Sequence, residues 1–160
     1  MAGVRQDTAA ADREIVISRV VGAPRELVFA AFSEVRHLSQ WWGPAGFSTT
    51  TRAFEFRADG VWDFVMHGPD GTDYPEWITF TEIVPPERIV LLHGERRDDP
   101  NAFVSVLTFA ADGAATRLEM RTVFPTRELR DEAVEKYHAI EGGRQTLNNL
   151  AAYVEKQGGR

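Results

Sequence analysis

Cysteine is absent from the 160 residues, which excludes disulfides, thiolate catalysis and any zinc site that needs a sulfur ligand. Lysine is nearly absent: Lys136 and Lys156 are the only two, and the other basic residues are arginines, a bias expected of a GC-rich bacterial genome. Positive charge is also outweighed, and a net charge of −6 argues against nucleic acid or an anionic membrane surface as the main partner. No apolar run approaches a membrane span and the first residues lack a signal-peptide pattern, so a cytoplasmic protein without membrane insertion is expected. There is no G-x-S-x-G elbow and no P-loop. The four histidines (His37, His67, His93, His138) are scattered, with no pair at helical metal-ligand spacing, and Asp70-Gly71-Thr72-Asp73 reads as a turn. Neither a metal nor a cofactor is expected.

What is present suits an ordinary globular chain, 43% hydrophobic and 26% charged, long enough for one domain with a real core. A flexible leader is expected over residues 1–12 and a single domain over 13–157. Glu14 to Val21 is apolar and β-branched, a strand that Gly22-Ala23-Pro24 ends. Two short helices are predicted next, Arg25 to Phe32 and, with Ser33 as its cap, Glu34 to Gln40. They lead into Trp41-Trp42-Gly43-Pro44. The period then changes to two. Strands are predicted at Thr49–Arg57, around Trp62–Met66, and at Tyr74–Val84, Ile89–Arg96, Ala102–Phe109 and Thr116–Phe124, separated by short Gly, Pro and Asp turns. Six hairpin-linked strands imply an antiparallel meander with one apolar face.

The closing stretch, Thr126 to Gln157, repeats apolar residues at steps of three and four: Leu129, Ala133, Tyr137, Ile140, Leu147, Leu150, Ala151 and Val154. One helix of that length would run roughly 45–50 Å at about 1.5 Å per residue, so it crosses the whole domain or breaks. Gly142-Gly143 is the expected bend. Gly143 also falls on the apolar stripe and is expected to face the sheet across free space, so that Gly143→Ala should keep or raise stability while raising a cavity floor. The result is an α+β fold, a curved antiparallel sheet of about seven strands around a long C-terminal helix. A sheet bent around one helix leaves a gap between them that side chains do not close.

The run Ala23-Pro24-Arg25-Glu26-Leu27-Val28-Phe29, then Trp41-Trp42-Gly43-Pro44, resembles the N-terminal signature of the activator-of-heat-shock-protein-ATPase-like family of the START-like (SRPBCC) superfamily. Gly60-Val61-Trp62-Asp63-Phe64, Gly68-Pro69-Asp70-Gly71, Pro85-Pro86-Glu87-Arg88-Ile89-Val90 and Glu141-Gly142-Gly143 extend the resemblance over Glu14 to about Val154. It implies the helix-grip fold and a hydrophobic pocket. It implies little about activity, because superfamily members bind lipids, cyclise polyketides or assist chaperones. Arg144 stands where relatives often carry an aromatic residue.

On these grounds the expected ligand-binding residues are Trp42, Trp62, Phe64, Met66, Leu91, His93, Leu118, Met120, Tyr137, Ile140, Gly143 and Arg144. The Trp41-Trp42 pair either anchors a ligand or, the preferred reading, locks the corner between helix and loop. Tyr74 and Trp77 have opposite parity, so at most one points inward. His93 and Glu95 share the parity of Ile89 and Leu91. They form a general-base pair if buried; the preferred reading is that the strand has reached a solvated rim. Arg144 either clamps a ligand carboxylate or turns outward to Glu141. The first functional reading is binding of a small apolar or aromatic molecule, by a monomer or homodimer. The alternatives are a cyclase or hydrolase using the same cavity, and a chaperone-associated interaction module.

Overall fold

Alternating apolar side chains broken by tight turns produce one seven-stranded antiparallel sheet in the computed structural model, which describes residues 11–158. The expected flexible leader lies largely outside those residues, and Ala11–Arg13 form a 3₁₀ turn. The strands are β1 (Glu14–Val21), β2 (Ser48–Phe54), β3 (Val61–His67), β4 (Asp73–Val84), β5 (Arg88–Gly94), β6 (Phe103–Asp112) and β7 (Ala115–Val123). Their order is β1-β7-β6-β5-β4-β3-β2, so the first strand pairs with the last and the rest follow as a meander. Register shifts between Thr51 and Ala53 and between Phe80 and Glu82 bend the sheet.

Two short helices, α1 (Arg25–Ser33) and α2 (Val35–Trp41), connect β1 to β2 as predicted. Ser33 does not cap α2. Its hydroxyl donates to Ala30 O, and Glu34 occupies the cap position without a side-chain bond. The closing stretch departs from expectation more usefully. It forms α3 (Arg127–Glu135) and α4 (Ala139–Gly158), broken at Lys136–His138, where His138 takes a positive φ of 53°. Thr126 caps α3 by accepting from Leu129 N. Gly142 and Gly143, read as the hinge, lie inside α4. The small residue is needed there for another reason: a Cβ on Gly143 would come 2.5 Å from Ile17 Cδ1 of β1.

The expectation of free space before Gly143 therefore holds only in part, since β1 touches it on one side and the cavity described below opens on the other. Gly143→Ala gains about 0.5–1 kcal/mol of helix propensity. It must also push the end of a buried isoleucine aside, at about 1–3 kcal/mol. The expected net result is a loss of about 1 kcal/mol in denaturant unfolding, with the displaced Ile17 tip narrowing the cavity.

The interior divides in two. Towards one end of the sheet Phe29, Trp62, Phe64, Phe80 and Phe109 pack with Leu150, Ala151 and Val154 of α4 into a closed core, and Phe32, Trp41 and Leu147, also buried, border the cavity described below. Towards the other end, α3 covers the sheet with only Leu129, Ala133 and Val134, none of them fully buried. The apolar cover of the sheet is thinner there. Among the described residues no helix is long and apolar enough to cross a membrane.

Candidate functional site

Thin cover over a concave sheet leaves a cavity of about 600 Å³. Its floor is the inward face of β1, β5, β6 and β7, with Ile17, Leu91, Leu107 and Met120. Phe103, Phe124, Leu129 and Ala133 close one side. Trp42 and Met66 close the other, beside the loop that follows α2. That loop is tied to α4 at two points: Asn149 Nδ2 donates to Gly43 O at 3.0 Å, and Gln145 Oε1 accepts from Ala45 N at 3.1 Å.

Of the residues expected at the site, Trp42, Met66, Leu91, His93, Met120, Tyr137 and Gly143 line this cavity. Trp62, Phe64, Leu118, Ile140 and Arg144 do not. Trp62 and Phe64 stack on each other at 3.7 Å between ring centroids, and with Leu118 they are wholly buried in the closed core. Ile140 packs against that core from α4, and Arg144 is exposed. Glu141, the other partner proposed for Arg144, instead accepts from Gln145. Both members of the tryptophan pair border the cavity. Trp41 also locks the corner, buried with its Nε1 donating to Ala31 O, whereas Trp42 bridges Trp62 and His93. Tyr74 is the inward member of its pair; Trp77 faces out, beneath the Arg97 guanidinium.

His93 is not at a solvated rim. Its side chain is 14% exposed, and its Nε2 is hydrogen-bonded to Glu76 Oε1 on the neighbouring strand, where the carboxylate is 17% exposed. Glu95 is the wrong partner because β5 ends at Gly94, and the alternation that placed Glu95 inward stops there. Glu95 is exposed and only edges the cavity mouth. Glu76 carried a legible signal: it lies between Tyr74 and Ile78, a carboxylate at inward parity across from the strand of His93. Sequence reasoning also missed a hydroxyl pair in the cavity wall, Ser105 Oγ and Thr122 Oγ1, buried and 3.1 Å apart. Among the described residues no three histidine or acidic side chains gather as a metal-holding group.

Beyond Gly94 the chain is held by Asp99, whose carboxylate is 5% exposed and accepts from the backbone N–H groups of Glu95 and Asn101. The bond from Glu95 N holds the Asp99 carboxyl below its usual range; the Asn101 bond and nearby Arg96 act in the same direction, against burial. A folded-state value lowered in this way contributes stability that is complete above the unfolded carboxyl value of about 3.9 and is lost as pH falls below it. Asp99→Asn is therefore expected to cost about 1–3 kcal/mol at neutral pH. The gap to the parent should close under acid, as followed by urea unfolding across the pH range.

No curated protein matches the chain in sequence. Solved structures do match in fold. A Nitrosomonas europaea protein superposes with a TM-score of 0.83 at 21% identity, covering 94% of this chain and 99% of that one. A Mycobacterium smegmatis protein gives 0.82 at 23%, over 92% and 94%. The AHSA1 protein from Silicibacter pomeroyi gives 0.73 at 23%, over 90% and 99%. The curved seven-stranded sheet gripping a C-terminal helix is thus the helix-grip fold that the residue pattern suggested. With a family model matching residues 22–155, the chain belongs to the Activator of Hsp90 ATPase homolog 1-like family, within the START-like (SRPBCC) superfamily.

Proposed function

We propose that the protein binds a small apolar or aromatic molecule in the cavity between the sheet and α3–α4. The observation that carries this reading is the cavity itself, about 600 Å³ walled mainly by Ile17, Leu91, Phe103, Leu107, Met120 and Phe124. Packed interiors rarely leave such space empty, and pockets of this size and lining suit drug-sized ligands. The family fold supports ligand-binding or chaperone-associated roles in general. The test is displacement of a polarity-sensitive dye by dodecanol, followed together with intrinsic tryptophan fluorescence, to which Trp41 and Trp42 contribute from the cavity wall. Saturable displacement with a fluorescence change is the expected result; no response across a broad apolar panel, with the protein folded, contradicts the reading.

The His93–Glu76 pair favours a second reading, an enzyme of the cyclase or hydrolase type in the same cavity. A histidine oriented by a carboxylate, both shielded from water, has the arrangement of a general base. On this reading p-nitrophenyl butyrate is hydrolysed above background, and His93→Gln removes that turnover while dodecanol affinity stays within a few-fold. Turnover unchanged in the variant removes His93 from any mechanism.

A further inference from the structure

The cavity that admits an apolar body carries charge of one sign. Among the described residues no arginine or lysine lines it, whereas Asp73, Glu76, Glu95, Asp99 and Glu132 all do. These carboxylates are not equivalent. Asp73 turns to His67, with its Oδ1 2.7 Å from Nδ1 of that ring, and Asp99 is occupied by two backbone N–H groups. Glu95 and Glu132 are exposed. Glu76 alone is both shielded and directed inward: one oxygen meets His93, and the other has no protein partner among the described residues.

Cations of neighbouring segments stay outside the lining, Arg13 among them, which donates to the backbone Phe124 O. Arg96 and Arg97 line a smaller pocket, about 290 Å³, with the outward-facing Trp77. Lys136 stands over the Tyr137 ring, 5.3 Å from its centroid, and is not part of the lining. Arg144, the residue that sequence reasoning offered as a carboxylate clamp, is exposed and outside the lining too.

An anionic head group entering this cavity would lose its water and gain no counter-ion, while facing the Glu76 carboxylate. A hydroxyl can donate to the free Glu76 oxygen, while the ring N–H of His93 stays on the other oxygen of that carboxylate. An ammonium gains a charge-assisted bond to the same oxygen. The Ser105–Thr122 hydroxyl pair adds neutral donors and acceptors in the wall. We infer that the ligand carries an alcohol or amine head group seated on the Glu76–His93 pair, and that carboxylates, fatty acids included, are rejected. This deepens the binding reading above and rests on it.

Dodecanol, dodecylamine and dodecanoate share one apolar body and differ in the head. Their affinities, measured by dye displacement at pH 7.5 and low ionic strength, should place the alcohol and the amine at least tenfold ahead of the carboxylate. In Glu76→Gln, with circular dichroism showing the parent fold, the amine should weaken about tenfold relative to the alcohol and dodecanoate should gain. Dodecanoate binding within twofold of dodecanol overturns the inference and leaves the cavity reading standing. An amine-to-alcohol ratio unchanged in Glu76→Gln overturns the role of Glu76, and the inference with it. Silence from all three probes overturns the cavity reading itself, and with it this one.

Discussion

Replacing Trp62 by alanine is expected to cost about 3–5 kcal/mol in denaturant unfolding, while Met66→Ala, four residues further along the same strand face, costs less than half as much. Trp62 is 1% exposed, stacks on Phe64, meets Trp42 and Phe54 edge-on, and donates from Nε1 to Thr51 Oγ1 at 3.0 Å. Its removal opens a void that close-packed rings cannot fill and leaves the threonine hydroxyl without its donor. Met66 instead borders space that is already open, so its truncation enlarges a cavity rather than creating one. Equal costs at the two positions would mean that the division between closed core and open cavity is misplaced.

The second large effect concerns binding. Met120 lies on the cavity floor opposite Gly143, partly buried, with its Cε 3.4 Å from where a Cβ on that glycine would stand. Met120→Trp grows into the cavity and should weaken dodecanol binding by about tenfold or more, equivalent to about 1.4 kcal/mol or above. The stability change should stay small, because the added ring fills space rather than displacing packed atoms. Titration calorimetry with an unfolding curve on the same sample separates the two. Full affinity in a folded Met120→Trp variant would move the site away from β7.

The architecture was legible because its signals are local. Period-two alternation, Asp-Gly and Pro-rich turns and the stripe on α4 each follow from a few neighbouring residues. The site was harder to read, because alternation reports which way a side chain faces and not what lies above it. Phe64 and Met66 on β3, or Leu118 and Met120 on β7, are indistinguishable by parity. One of each pair lies in the closed core and the other at the cavity, where Met66 meets Gly43 and Met120 meets Gly143, two positions without a side chain. Glycines were ambiguous in the same way. Gly143 looked like a hinge and serves close approach to Ile17, while the actual break at Lys136–His138 contains neither glycine nor proline. The pairing of His93 with Glu76 required strand register, which no single strand carries.

Apart from Met1, the chain contains two methionines, Met66 and Met120, and both line the cavity. Methyl-labelled methionine therefore gives nuclear magnetic resonance signals that report on this space with little else in view. Titration with dodecanol should shift both internal methyl resonances along one saturable curve. Binding detected by calorimetry with Met66 and Met120 both unshifted would place the ligand elsewhere and contradict the cavity as the site.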